Sequence, residues 1–124
     1  MHAIRSPHEA YRKVDFDARV AGADPRQLVL VCYELLGSAL GAAVHAAAFG
    51  DNARKSASLT RALSAITALQ MGLDHAQPVA APLNAFLEAA RRTVLDCVIE
   101  FEASAAERLK DDVKELSAAF RQAG

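Results

Sequence analysis

The chain has no tryptophan, two cysteines, four prolines and six glycines in 124 residues. Each shortage removes a class of protein. Cys32 and Cys97 have no partners at metal-ligand spacing, which excludes a disulfide scaffold and a zinc ribbon. At apolar helical positions they read as reduced core cysteines. An excess of one charge is also missing, because 14 basic and 15 acidic side chains leave a net charge of −1. The two signs are interspersed, so no surface is expected to track phosphates and nucleic acid is not an expected partner. No apolar run approaches the ~20 residues of a membrane span, and Met1-His2-Ala3-Ile4-Arg5 lacks the core of a signal peptide. Membrane insertion is therefore not expected, and the expected compartment is the cytoplasm.

Hairpin signals are absent too. No Asn-Gly or Asp-Gly lies between alternating apolar runs, while alanine is abundant and glycine scarce within the periodic segments. The predicted class is all α: an antiparallel up-down four-helix bundle over residues 23–124, preceded by a mobile N-terminal arm over residues 1–22. One domain of this length can bury a core without metal or disulfide.

The residues of catalysis are equally thin. There is no GxxxxGK[ST], GxGxxG or GxSxG, so nucleotide binding and nucleophile-elbow hydrolysis have no support. His2, His8, His45 and His75 are scattered, and none forms the Glu-x-x-His pair of a di-iron bundle. Asp111, Asp112 and Glu115 alternate with Lys110 and Lys114 as a solvated helix face. His45 admits a phosphotransfer reading, but His45-Ala46-Ala47-Ala48-Phe49-Gly50 carries no lysine to stabilise a phosphoryl group. No catalytic residue, metal ligand or cofactor is predicted, and the chain does not read as an enzyme.

What is present is helical. The first predicted helix spans residues 25–49: Asp24 caps it, Pro25 suits its first position, Gln27 reaches back, and Gly50 ends it. A second begins at Asp51 or Asn52 with the stripe Leu59, Leu63, Ile66, Leu69 and Leu73. Residues 74–82 form the linker. A third opens near Pro82 with Leu83, Phe86, Leu87, Ala90, Val94, Cys97, Val98 and Phe101. Ser104 and Glu107 form an S-x-x-E box that places the start of a fourth, striped by Leu109, Val113, Leu116 and Phe120. No glycine or proline separates these last two, so one bent helix is the alternative.

The first helix carries an excess. Leu28, Val29, Leu30, Val31 and Cys32 are consecutive, and at 100° per residue they wrap apolar surface around most of the helix. Two explanations stand. The helix is packed from both sides, or part of it is a groove for an amphipathic helix of another protein, with Leu28, Val29, Val31 and Leu35 as anchors. In the second case the arm around Tyr11 is a plausible lid.

The order of these features resembles the FliS family of flagellin export chaperones. The likeness runs from about Ala10 to Ala123. It rests on Ala10-Tyr11 and Val14, then Asp24-Pro25, then Leu28 to Tyr33-Glu34, then Gly50-Asp51. Leu69-Gln70-Met71-Gly72-Leu73-Asp74 and the closing Lys110 to Arg121 segment complete it. Glu34 stands for a usual aspartate, Leu35-Leu36 for a Gly-Ala pair and Gln77-Pro78 for a glycine pair, and the late tryptophan is missing, as in a divergent member. The resemblance implies a cytoplasmic bundle around which the C-terminal segment of flagellin wraps, with export-apparatus components as further partners. Partner-binding residues are then Tyr11 and Val14 in the arm, and Leu28, Val31, Tyr33 and Leu35 on the client or core surface. A monomer or weak homodimer is expected, and a bundle self-associating through the first helix is a third reading beside the His45 one.

Overall fold

The computed structural model describes residues 24–123. Four helices follow one another: α1 (Pro25–Ala48), α2 (Asn52–Met71), α3 (Ala80–Ile99) and α4 (Ala103–Gln122). No strand occurs among the described residues. The predicted arm at residues 1–22 lies outside them.

The helix boundaries follow local chemistry. The Asp24 carboxylate accepts from Gln27 N at 2.8 Å, while Gln27 Oε1 accepts from Asp24 N at 3.2 Å, a reciprocal capping box ahead of Pro25. Gly50 adopts φ 69°, the left-handed conformation that lets α1 stop and the chain reverse. Asp51 then caps α2 by accepting from Arg54 N at 3.1 Å.

At α3 and α4 the boundaries differ from expectation. α3 starts two residues before Pro82, from Val79, with no side-chain cap. The expected box at Ser104 and Glu107 does not form. Glu102 is the N-cap of α4 with an extended backbone and no side-chain hydrogen bond, so Ser104 already lies within the helix. The two helices are nevertheless separate. Glu100 and Glu102 are both extended, with φ/ψ of −143°/109° and −126°/104°, and they break the helical path that apolar phasing alone would continue.

The helices pack around a ring in which α1 touches α2 and α4, and α3 touches the same two less extensively. Successive helices run antiparallel. Gln70 near the end of α2 meets Asn84 near the start of α3, and Arg26 at the start of α1 meets Phe120 near the end of α4. Leu36, Leu40, Leu59, Ile66, Leu87, Val94 and Val113 are the large side chains sealed in the middle. Each contributes about 1.5–3 kcal/mol by leaving water. Buried Ala39, Ala43, Ala62, Ala65, Ala90 and Ala106 line the seams and let the backbones approach closely.

Most predicted stripe residues are interior, but Val98 is exposed rather than core. It lies about 100° around α3 from Cys97, past the edge of the buried face. Although no unbroken apolar run reaches membrane-span length, α1 is long and apolar enough to cross a membrane by length and composition. In the bundle α2 and α4 pack against α1, yet only a third of its most apolar stretch is buried.

Candidate partner-binding surface

α1 is built into the bundle on two sides. Val31 and Tyr33 are 5 and 3% exposed, and both belong to the interior. Leu28 and Leu35 are half-buried, as is Cys32 between them. These three fall at i, i+4 and i+7, one line along the helix, with Cys32 and Leu35 packed against the core cluster. Of the six residues singled out from sequence, Leu28 and Leu35 thus share one edge, and Val31 and Tyr33 lie beneath the surface. Tyr11 and Val14 lie outside the described residues.

The start of α1 is tied to the end of α4. The Arg26 guanidinium sits 4.5 Å from the centroid of the Phe120 ring and also donates to the Phe120 carbonyl. Tyr33 and Phe120 rings lie 6.5 Å apart, tilted by 48°. Arg121 donates to Glu34 across 3.3 Å, an exposed ion pair. Burial pushes the Tyr33 phenol and the Cys32 thiol above their usual pKa values. Cys32 is therefore less of a thiolate at neutral pH than an ordinary cysteine, and a poor nucleophile. Cys32 and Cys97 are both free thiols.

A second feature lies between α3 and α4, where the helices leave a cleft of about 420 Å³. Phe86, Ala89, Ala90 and Thr93 of α3 line one side, Ala105, Arg108, Leu109 and Asp112 of α4 the other, and Glu102 at the α4 N-cap completes it. Alanines from both helices and the polar Thr93, Glu102, Arg108 and Asp112 line it, so its surface is mixed in character. No group of three or more His, Cys, Asp and Glu side chains able to hold a metal occurs among the described residues. The His45 and Phe49 rings lie 4.7 Å apart, tilted by 49°, at the exposed end of α1.

The seam between α2 and α3 is polar at one end. Gln70 Nε2 donates to Asn84 Oδ1 and Glu88 Oε2, both at 3.1 Å, and Gln70 Oε1 accepts from Arg91 at 2.6 Å. Arg91 also donates to Thr67 at 3.0 Å. Such a connected set fixes the register of the two helices more sharply than alanines alone.

The model of the family described as "Flagellar protein FliS" matches residues 7–124. The chain belongs to the FliS family. That match takes in both the α1 edge and the α3–α4 cleft, and it places this FliS-type bundle among chaperones of flagellar export. No curated protein matches the chain.

Sequence reasoning missed Leu95 and Ile99. They are exposed on α3 together with Val98, at 44, 87 and 56% for Leu95, Ile99 and Val98. The signal was available: Val94 to Ile99 is nearly unbroken in apolar character, the same excess noted on α1. On α3 no helix among the described residues covers it.

Proposed function

We propose that the protein is a cytoplasmic chaperone that binds the C-terminal segment of flagellin, hides its polymerisation surface and keeps it competent for export. The family match over residues 7–124 carries this reading. The half-buried line Leu28, Cys32 and Leu35 supplies apolar surface, and the α3–α4 cleft a mixed one, for a client that is disordered when free. Ordering that segment costs conformational entropy, which apolar burial on a preformed bundle has to exceed. No nucleotide or covalent step enters. Val31 and Tyr33 support the α1 edge from within, Leu28 and Leu35 contact the client, and Tyr11 and Val14 belong to the segment that caps or competes with it.

Calorimetric titration with the C-terminal peptide of the flagellin from the same source tests the proposal. Saturable one-to-one binding is expected, weakened at least tenfold by Leu28→Asp with helicity and melting retained. Absence of heat at tens of micromolar would overturn it. Unchanged affinity in Leu28→Asp would remove the α1 edge while leaving the chaperone role intact. Val31 is too deeply buried for such a test, because a charge there disrupts the fold.

A further inference from the structure

α4 is held in the bundle mainly by α1, the helix most remote from it in sequence, and far less by α3, its neighbour along the chain. On the α1 side Val113 faces Gly37, Lys110 faces Gly41, Phe120 meets Arg26 and Tyr33, and Arg121 pairs with Glu34. On the α3 side lies the cleft of about 420 Å³. Moving α4 away from α3 therefore sacrifices little packing.

The connector that keeps the two helices side by side is Glu100-Phe101-Glu102, and both of its glutamates are extended. It closes the helix ends poorly. α3 stops without a left-handed residue of the kind that Gly50 supplies after α1, and α4 starts without a side-chain cap. Asp96 and Glu100 also stand at the negative end of the α3 dipole. Yet no glycine or proline occurs from Leu83 to Ala123, and glutamate is a good helix former. If α3 ran on into α4, its last carbonyls would bond to the first amides of α4. Phe101 would then follow Cys97 at i+4, on the buried side of α3. Straightening the connector thus satisfies both helix ends, but it carries α4 off its own α1.

A second copy that straightens in the same way repairs the loss. The α4 of each settles on the α1 of the other, and the whole α1–α4 seam is remade between chains with no new surface required. We propose that two copies of this chain exchange α4, with α3, residues 100–102 and α4 of each joined in one helix over residues 80–122, about 65 Å long. Because α4 has to leave one α1 before it reaches another, monomer and dimer interconvert slowly. The exchange does not depend on the chaperone reading.

Refolding the full chain at about 10 µM and at about 1 mM, followed by size-exclusion chromatography, tests the proposal, and the dimer share should rise with concentration. In a Cys32→Ala background, Glu34→Cys with Arg121→Cys puts a thiol on each side of the seam, where the native side chains approach to 3.3 Å, while Cys97 stays buried. A short bis-maleimide should join the two introduced thiols between copies in the isolated dimer, and within one chain in the monomer. Ala103→Pro separates the two forms further. Proline suits the first position of α4 and favours the extended Glu102 before it, so the monomer should keep its helicity and melting. In the joined helix the same proline is interior, and the dimer share should fall at least tenfold. Absence of dimer at both concentrations would overturn the proposal. So would a dimer bridged only within its chains, or one that a folded Ala103→Pro leaves unchanged.

Discussion

Replacing Gly37 by alanine should stabilise the protein, although it places a new methyl group at a helix–helix seam. Gly37 and Gly41 lie in the interior of α1 on the side that meets α4. A Cβ at Gly37 would sit 3.8 Å from Val113 Cγ1, and one at Gly41 would sit 3.6 Å from Lys110 Cδ. Both distances are ordinary van der Waals contact. Neither glycine has a positive φ, so neither is there for its backbone. Alanine in a helix interior is better than glycine by about 0.8–1.0 kcal/mol. The methyl against Val113 adds a few tenths of the ~0.8 kcal/mol that full burial of one carbon contributes. Gly37→Ala should therefore gain about 1 kcal/mol, and the Gly37→Ala/Gly41→Ala pair about 2 kcal/mol, raising Tm by roughly 4 °C per kcal/mol. Thermal melts followed by far-UV circular dichroism read this directly. Gly50→Ala is the control of opposite sign, losing about 1 kcal/mol because its φ of 69° strains any side chain. A Tm that falls in Gly37→Ala would show that α1 and α4 are closer than a methyl permits, and the packing argument would fail.

Other expectations follow from caps, polar contacts and burial. Asp51→Ala should cost about 1 kcal/mol in urea unfolding, whereas Ser104→Ala should stay within about 0.5 kcal/mol because Ser104 caps nothing. Gln70→Leu leaves Asn84, Glu88 and Arg91 each short of a partner and should lower stability by about 1–2 kcal/mol. Cys32 and Tyr33 ionise at higher pH in the folded state than their ordinary values of 9.0 and 10.0, owing to desolvation. Above pH 9 the unfolded chain sheds the Cys32 proton first, and above pH 10 the Tyr33 proton, so stability is whole below pH 9 and declines above it. Urea midpoints should thus hold steady up to about pH 9 and fall above it, by less in Cys32→Ala and in Tyr33→Phe. A flat profile in the unaltered chain would contradict both shifts.

The first two helices were legible because their ends are written in side chains that act locally. Asp24, Gln27, Gly50 and Asp51 each satisfy a backbone group within four residues, and no tertiary information is needed to read them. The start of α4 was not legible in this way. Ser104 and Glu107 have the spacing of a capping box, but extension at Glu100 and Glu102 sets the helix going before Ser104 is reached. The surface was harder still. An apolar run around a helix looks the same whether a neighbour covers it, as α4 packs Phe120 against Tyr33, or it stays exposed, as at Leu95 and Ile99. Which case applies depends on how extensively the two neighbours of each helix pack against it. The six residues chosen on α1 and in the arm therefore mix interior with edge, and the most exposed helical patch lay elsewhere.

The unequal seams also bear on how the chain comes to be folded. α1 meets α2 across the most extensive contact among the described helices, and only Phe49, Gly50 and Asp51 separate them. Partners so near in sequence find one another with little loop-closure entropy, so this hairpin is positioned to form first. During synthesis it leaves the ribosome before α4 exists to cover the far side of α1. In the finished protein the order reverses. α3 holds the lesser contacts and should open most readily, its amides exchanging with solvent sooner than those of α1. The helix last to be secured is also the one that carries the bare edge of Leu95, Val98 and Ile99, so anything that docks there tightens the loosest part of the bundle.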